Sequence, residues 1–409
     1  SSDLGRSVGR VRLDDPGLTR ATVAVALAVG GLCAVIAATR GHFIDLQVYR
    51  LGAGAVLHGR LYDVALPGAE LPYTYPPFAA LVMVPATWLP YAVTAGLWAT
   101  VSVFACAVSL VVALGRAAGW RGGPGRSSLP WVLLAVLAAE PVTSTLSFGQ
   151  VNLVLMALVV LDVLGPRRRW SGALVGVAAG IKLTPLFLVV FLVAVGRRRD
   201  AGVALLAFAA TVAVAAALLP HDSWRYWTSV LPDTSRIGSP VYSGNQSLDG
   251  LLSRLVGHPA STALWVAVAA PVGGVAVLAA RRLWQRDGDH VLALCVAATG
   301  MLLASPISWD HHWVWLAVTA LVLAASARPG ARVIAAVLAL GMYSRAVWWP
   351  PRYEDRELAW AWWQQVPGNV YVWCGLLVVL AAAVWAWWPA RSGHAAQGRP
   401  AAADRPLVG

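Results

Sequence analysis

Repeated apolar runs of about twenty residues, separated by short basic loops, constrain this chain more than any other feature. Such runs are long enough to cross the roughly 30 Å hydrocarbon layer of a bilayer as α-helices. Across 409 residues, 58% are hydrophobic and only 12% are charged, too few charges to cover the apolar surface of a soluble fold of this size. The sequence therefore predicts an all-α, polytopic membrane protein.

The arginine-rich loops indicate which helix ends face the cytoplasm. Cytoplasmic loops carry an excess of Lys and Arg, and placing the densest basic runs inside also puts both termini inside. A hairpin with two arms too short to span is expected between 171 and 195, which brings the total to about twelve membrane segments. The other predicted membrane helices lie near 21–39, 92–115, 130–146, 150–165, 201–220, 263–280, 290–307, 313–327, 333–348 and 370–388.

Three segments of appreciable length would then face outward, at about 40–91, 221–262 and 349–369. Within the first, YPPFAALVMVPATWLP (75–90) is too short and too interrupted by proline for an ordinary span, so it predicts juxtamembrane helices at the outer surface. Aromatic, acidic and histidine residues gather in these outward parts, whereas the inner loops are short and basic. The sequence thus predicts a plasma-membrane protein that acts on its extracytoplasmic side.

The remaining parts of the chain carry fewer signals. Residues 1–20 and 389–409 are expected to be cytoplasmic tails on either side of one membrane domain, residues 21–388. A net charge of +12 would suggest nucleic acid as the partner of a soluble protein, but arginines in short loops set topology, so no nucleic-acid partner is expected. The sequence has no Walker A loop and no Rossmann glycine pattern, which argues against an ATP-driven pump.

Asp45 is the candidate catalytic residue, because it follows the first predicted helix by a few residues, in GHFIDLQVYR. A carboxylate at the membrane–water boundary is partly desolvated, which raises its pKa and its strength as a general base. A helix cap, or an ion pair with Arg50, is the structural alternative.

Two cations are candidates for binding an anionic ligand such as a lipid phosphate. Lys182, in AAGIKLTPLF, is the only lysine of the chain, and a cation within an apolar stretch costs a few kcal/mol unless it is paired or reaches water. Arg345 ends an apolar helix on the outward side, among aromatic residues, and could clamp a phosphate with two hydrogen bonds. Snorkelling of Lys182, and pairing of Arg345 with Glu354 or Asp355, are the alternatives.

The motif SPISWDHHW (305–313) places two histidines between tryptophans. His311 and His312 are adjacent, so on a helix their side chains diverge by about 100° and cannot chelate one ion together. No cluster of metal ligands is visible, and we expect no cofactor; a divalent ion is the alternative. An imidazole could bind a sugar hydroxyl or phosphate while Trp309 offers a flat stacking surface; an interfacial aromatic belt is the alternative.

Amide and tyrosine side chains complete the candidate site. Gln150 and Asn152, in SFGQVNLVLM, lie at the outward end of two predicted helices, and Asn245, in YSGNQSLDGLL, lies in the second outward segment. Amides suit hydroxyl-rich ligands because they both donate and accept hydrogen bonds, and they suit helix caps equally well. Tyr75, in YTYPPF, is a further candidate substrate contact.

Six stretches occur in an order that resembles a known family. They are FIDLQVYRLGAGAVLHGRLYD, YTYPPFAALVMVP, SFGQVNLVLMALVVLD, GIKLTPLFLVVFL, NQSLDGLLSRL and SPISWDHHWVWL. Together they resemble the polyprenyl-phosphate-mannose-dependent mannosyltransferases of actinobacteria, which form glycosyltransferase family 87 of the GT-C superfamily. The resemblance covers about residues 40–315.

The resemblance implies a GT-C fold and an inverting transfer of mannose from polyprenyl-phosphate-mannose at the extracytoplasmic face. The acceptor would be a mannosylated phosphatidylinositol, or lipomannan or lipoarabinomannan, and the new linkage α-1,2. Asp45 matches the position of the carboxylate that serves as base in such enzymes. Lys182, Arg345 and one of the two histidines would then stabilise the departing phosphate.

Two other classes of function compete with this interpretation. Broken helices and a buried lysine are also found in transporters, so a transporter or flippase for a lipid-linked sugar is the main alternative, although the chain shows no convincing internal repeat. A structural subunit that presents a lipid to another enzyme is the third. Membrane lipids are expected partners in each case.

Overall fold

The computed structural model describes residues 16–117 and 129–387. Both predicted tails therefore lie outside the described residues, except for residues 16–20, which begin the first helix. Eighteen α-helices and one two-stranded antiparallel sheet are found in the described part. The helices are α1 Pro16–Arg40, α2 Ile44–Ala55, α3 Pro77–Met83, α4 Tyr91–Arg116, α5 Leu129–Ala138, α6 Glu140–Phe148, α7 Asn152–Leu164, α8 Ala173–Ile181, α9 Phe187–Ala194, α10 Arg198–Leu218, α11 Pro220–Arg225, α12 Leu248–Val256, α13 Thr262–Arg286, α14 His290–Ala304, α15 Trp315–Ala324, α16 Ala331–Ser344, α17 Gln365–Gly368 and α18 Val370–Trp387; the strands are β1 Ala65–Leu66 and β2 Leu71–Pro72.

Five of the described helices are long and apolar enough to cross a membrane: α1, α4, α10, α13 and α18. The bent pair α5–α6 is a sixth candidate. The chain is thus a multi-pass helical membrane protein. Several further apolar helices have only 10–17 residues, so the total of about twelve membrane segments stays a prediction.

The helix predicted at 130–146 is wrong as a single element. The chain bends by 73° between α5 and α6, where Ala139 has an extended conformation. Pro141 follows in the first turn of α6, where the missing N–H of proline is tolerated, whereas inside a continuous helix its ring would clash with the preceding turn. The bend turns the polar start of α6 into the protein, and Glu140 is buried.

The hairpin predicted between 171 and 195 is confirmed as α8 and α9, with nine and eight residues. At 1.5 Å per residue each arm extends about 13 Å, less than half of the hydrocarbon layer. Lys182 lies at the break between them, in an extended conformation. α8 packs closely on α10, because a Cβ at Gly176 would stand 2.2 Å from the carbonyl oxygen of Ala204.

Residues 75–90 form two short helices, as the sequence predicts: α3 and a 3₁₀ segment, Val84–Trp88. They precede the long helix α4 and pack against α2. Their position at the outer membrane surface is a separate matter and stays a prediction.

The centre of the molecule is α14, in which every residue from Val291 to Leu303 is buried. A helix that is apolar on all sides is buried on all sides, and α14 packs against α13, α15 and α18. The SWDHHW motif follows directly, with a single 3₁₀ turn at Asp310–His312 before α15. The end of the central helix therefore positions this motif.

Arg254, in α12, joins the loops that surround the motif. It is 1% exposed, and its guanidinium donates hydrogen bonds to Oδ1 of Asn369 at 2.6 and 3.0 Å and to the carbonyl oxygens of Val241, Tyr242 and Asn245 at 2.8–3.1 Å. A planar group with five donors can satisfy several carbonyl oxygens that no single backbone element would pair.

We expect Arg254→Met to lower the free energy of unfolding by about 3–5 kcal/mol, because the buried acceptors lose a charged donor. Thermal denaturation of the protein in lipid nanodiscs measures this loss. Arg332→Met, at an exposed position of α16, is the matched control and should leave the transition unchanged. Equal transitions for the two variants would contradict this role of Arg254.

Candidate active site

One cavity of about 510 Å³ brings together distant parts of the chain. Its wall is formed by the start of α2, the segment after β2, the break between α8 and α9, the loop before α12 and the SWDHHW motif. Six of the ten side chains proposed from the sequence line it: Asp45, Tyr75, Gln150, Lys182, Trp309 and His312.

Asp45 lies in the first turn of α2, half-buried and facing the cavity. Burial raises the pKa of Asp45, and the nearby His311, a hydrogen bond from the Gln150 side chain and the charge of Lys182 offset part of that effect. The predicted alternatives are not found, since the helix cap is Phe43 and Arg50 donates to the carbonyl oxygen of Leu89 at 2.9 Å. A carboxyl group that is desolvated but not ion-paired can accept a proton from a ligand.

Gln150 is oriented by two tyrosines. Its Oε1 accepts hydrogen bonds from the hydroxyls of Tyr49 at 2.8 Å and Tyr75 at 3.0 Å, so the amide nitrogen is the end left to donate to Asp45. Gly149 makes this approach feasible, because it has φ 71° and a Cβ there would lie 2.7 Å from Cβ of Leu46 in α2. Tyr49 was not singled out from the sequence.

Lys182 is held at the cavity by α7 and the SWDHHW turn. Its Nζ donates to Oδ1 of Asn152 at 3.1 Å, lies 2.8 Å from Nε2 of His312 and stands over the ring of Tyr75. An amine in these surroundings binds its proton more tightly once an anion enters the cavity.

His312 lines the cavity and His311 does not. The backbone N–H of Trp309 donates to Nδ1 of His312 at 3.2 Å, which fixes that ring. His311 turns into the protein, where its ring contacts Phe148 edge-on. The carbonyl oxygen of His311 accepts a hydrogen bond from Nδ2 of Asn152 at 2.9 Å. Asn152 therefore has two roles: it anchors the motif, and it orients the amine of Lys182.

Comparison with known proteins identifies the family of this chain. The sequence pattern of glycosyltransferase family 87 matches residues 73–306, more than half of the chain. This chain belongs to glycosyltransferase family 87.

Individual relatives extend the match over most of the chain. A polyprenol-phosphate-mannose-dependent alpha-(1-2)-phosphatidylinositol mannoside mannosyltransferase of Mycobacterium tuberculosis is 34% identical over 83% of this chain and 84% of its own length. A phosphatidylinositol pentamannoside mannosyltransferase of the same organism, also named as dependent on polyprenol-phosphate-mannose, is 35% identical over 93% of this chain and 90% of its own length. Among solved structures, ArnT from Cupriavidus metallidurans bound to undecaprenyl phosphate matches with TM-score 0.42 and 16% identity, over 90% of this chain and 77% of ArnT.

Besides His311 and Asn152, two more residues proposed from the sequence do not line the cavity of this family 87 glycosyltransferase: Asn245 and Arg345. Asn245 is fully buried; its side chain accepts from the N–H of Ser308 and donates to the carbonyl oxygens of Pro240 and Pro306, which clamps the SWDHHW motif in place. All three bonds go to backbone groups, so the structure gives this amide a bracing role. Its contact with substrate stays a prediction.

Arg345 is also placed apart from the cavity. It is the exposed residue that ends α16, with φ 53°, and it forms no ion pair with Glu354 or Asp355, all three being described residues. The proposed phosphate clamp therefore has no support from this placement.

Arg236 is a cation of the cavity wall that the sequence analysis did not single out. Its Nη2 donates to the carbonyl oxygen of Tyr62 at 2.9 Å, whereas its buried Nε has no hydrogen-bond partner. An arginine in a segment predicted to face outward, against the positive-inside trend, was the signal that could have found it. Arg236 and Lys182 are the two cationic side chains that line the cavity among the described residues.

The sequence analysis also did not single out two buried carboxyl groups. They are Asp310, within the SWDHHW motif, and Glu140, at the start of α6. Oδ2 of Asp310 accepts from Oγ of Ser144 at 2.6 Å, and Glu140 accepts from Nε1 of Trp348 at 3.1 Å and from the hydroxyl of Tyr371. These groups tie α6, the motif and α18 together. In the part of the chain that the structure describes, no group of three or more His, Cys, Asp or Glu side chains is arranged to hold a metal ion.

An apolar groove of about 410 Å³ continues from the cavity between α9 and α13. Phe187, Trp265 and Ala304 line both spaces, and the rest of the groove wall is aliphatic or glycine. Head and tail of an amphipathic ligand would thus meet different chemistry in one continuous space.

We expect the transfer rate to rise with pH through the titration of Asp45, with its midpoint above the usual aspartate range. Burial raises the pKa of this carboxyl, and a base acts only in its deprotonated form, so the acid limb is displaced upward. The pH profile of kcat/KM measures it. Gln150→Leu, which removes a hydrogen bond that lowers this pKa, should displace the limb further; a profile without an acid limb would contradict the assignment.

Proposed function

We propose that this glycosyltransferase transfers mannose from polyprenyl-phosphate-mannose to a mannosylated phosphatidylinositol, with inversion, to form an α-1,2 linkage. The observation that carries the proposal is a single cavity that is lined by both the desolvated carboxyl group of Asp45 and the cation Lys182 and that adjoins an apolar groove. Two mycobacterial relatives that are named for this donor and for phosphatidylinositol mannosides support the choice of donor and acceptor.

The reaction is a substitution at the anomeric carbon of the donor. Asp45 accepts the proton of an acceptor mannose hydroxyl as its oxygen bonds to that carbon, and the bond from the carbon to the phosphate oxygen breaks on the opposite face. The electron pair leaves with the polyprenyl phosphate. Since phosphate is a competent leaving group, the protein needs a base and a cation rather than a dedicated acid.

Lys182 is the cation proposed for the leaving group. Charge accumulates on the phosphate as the bond breaks, so a fixed cation stabilises the transition state more than the ground state. His312 and Asn152 hold its amine from two sides, and Tyr75 covers it. Arg236 replaces Arg345 as the second candidate for anion binding.

The apolar groove is the proposed path of the prenyl chain. Phe187 begins α9 five residues after Lys182 and lines both cavity and groove. A phosphate held at Lys182 would therefore place the first isoprene units beside Phe187, where their burial removes apolar surface from water at about 25 cal/mol per Å².

The proposed orientation in the membrane is based on the distribution of arginines among the loops. With the basic loops inside, the GT-C arrangement of about twelve membrane segments places α2, α3 and the cavity on the extracytoplasmic side of the plasma membrane. A lipid-linked donor and a glycolipid acceptor would both reach the cavity from that leaflet.

The test is an assay of the purified protein in nanodiscs with polyprenyl-phosphate-mannose and a mannosylated phosphatidylinositol. We expect a product one mannose larger, with an α-1,2 linkage by methylation analysis. A broken hairpin with a buried lysine is also typical of a transporter for a lipid-linked sugar, which is the second candidate function. Movement of the lipid-linked sugar across proteoliposomes, without any new glycosidic bond, would replace the proposed function with that one.

A further inference from the structure

Three aromatic side chains lead from the cavity wall to the protein surface and take no part in the chemistry above. The ring centroid of Tyr242 lies 6.1 Å from that of Trp309, which lines the cavity, and 5.4 Å from that of Tyr353, with only 24° between the two tyrosine planes. Tyr242 is half-buried and Tyr353 is 56% exposed. We call Trp309, Tyr242 and Tyr353 the aromatic ladder.

The outer end of the aromatic ladder is held by a strained turn. Tyr353, Glu354 and Asp355 have φ of 71°, 54° and 57°, a run of left-handed residues that side chains disfavour by about 1–2 kcal/mol each. Glu357, only 1% exposed, stabilises the turn: its Oε1 accepts the N–H of Tyr353 and that of Ser243, both at 3.2 Å. Strain retained in this way is a feature of functional segments, and here its effect is to fix the Tyr353 ring against Tyr242.

Arg352 borders the aromatic ladder with hydrogen-bond donors. Its guanidinium stands over the rings of Trp348 and Tyr353, at 5.4 and 5.5 Å. Nη1 donates to the carbonyl oxygen of Trp348 at 2.7 Å, while the buried Nε has no partner. A sugar ring has an apolar C–H face and an edge of hydroxyls. Aromatic faces beside a planar cation offer surfaces to both.

The size of the cavity explains why such a surface is needed. About 510 Å³ is the volume of a site that encloses one drug-sized ligand. The mannosyl phosphate and the one acceptor mannose that reacts already make up a ligand of that size, so further sugars of the acceptor must lie outside the cavity. The aromatic ladder starts at Trp309, in the cavity wall.

We propose that the aromatic ladder binds the non-reacting sugars of the acceptor, an oligomannosidic chain, as they leave the cavity. The identity of the sugar rests on the proposed function. The contrasting role, aromatic residues that anchor the protein in the lipid headgroup layer, would be shared with other exposed tryptophans such as Trp362, which is 83% exposed.

The test measures how a soluble α-linked mannotetraose binds to the wild-type protein in nanodiscs, by NMR titration. It requires no turnover and avoids detergents that carry sugars. Tyr353→Asn removes the ring and keeps a residue that tolerates φ above zero. We expect it to weaken mannotetraose binding about three- to tenfold, as for loss of one aromatic contact, and to leave the binding of free mannose unchanged.

Two control variants separate the outcomes. Tyr353→Phe keeps the ring and loses only the hydroxyl, with its 3.4 Å contact to Tyr242 and its hydrogen bond with Arg352. Ring stacking is retained, so this variant should bind as the wild type does, and Trp362→Ala should also be unaffected. The inference is overturned if wild-type protein binds mannotetraose no better than mannose, or if Tyr353→Asn binds it normally. An equal loss in Trp362→Ala would show an interfacial role instead. Failure of the mannosyl-transfer assay with intact mannotetraose binding would overturn the proposed reaction and leave the sugar site.

Discussion

Asp45→Asn is expected to lower kcat by about two to four powers of ten, the usual range for removal of a general base. The amide has the size of the carboxyl group and can still interact with Gln150, but it cannot accept the proton of the attacking hydroxyl. Because the proton moves only in the transition state, KM for both substrates should change little. Initial rates of mannose transfer at saturating donor and acceptor measure the loss.

Glu70→Gln is the matched control for this substitution. Glu70 is an exposed carboxylate in the same segment between α1 and α4, so the same change of charge occurs away from the cavity and the rate should stay at the wild-type level. Turnover of Asp45→Asn close to that of the wild type would reject Asp45 as the base. A large increase in KM with normal kcat would assign it to binding alone.

The residues predicted best from the sequence were polar groups in apolar surroundings. Asp45 and Lys182 stood out because burying a charge is costly, and the structure brings them to one cavity. Tyr49 could have been found in the same way. It lies four residues after Asp45, so the two side chains share a face of α2, and that face is the one turned to Gln150.

Other features depend on contacts that no local pattern contains. Asn245 and Gln150 look alike in sequence, yet one clamps backbone and the other lines the cavity, because only tertiary packing decides which partners an amide meets. The position of Arg345 relative to the cavity depends on tertiary structure in the same way, because the end of a helix does not indicate where the next turn directs the chain. The bend before α6 is different, because Pro141 is a helix-breaking residue that can be seen in the sequence. An interruption predicted at this proline would have separated α5 from α6.

Lys182→Ala is expected to lower kcat/KM by about two to three powers of ten, the range for removal of one group that stabilises developing negative charge. The variant removes the cation proposed to stabilise the charge on the departing phosphate, while Asp45 remains in place. Steady-state kinetics with varied polyprenyl-phosphate-mannose measure this effect. The loss should exceed that of Asn152→Ala, which leaves the cation in place and removes a side chain that orients the amine and anchors the motif.

A rescue experiment distinguishes this role of Lys182 from a structural one. The truncated side chain leaves space beside Tyr75 and His312, so a small primary ammonium ion such as ethylammonium can occupy the position of the amine and carry the same charge. We expect partial recovery of the rate with ethylammonium and none with ethanol, which has a similar size and no charge. Recovery with neither, or a variant as active as the wild type, would show that the phosphate depends on another cation, of which Arg236 is the one already in the cavity wall.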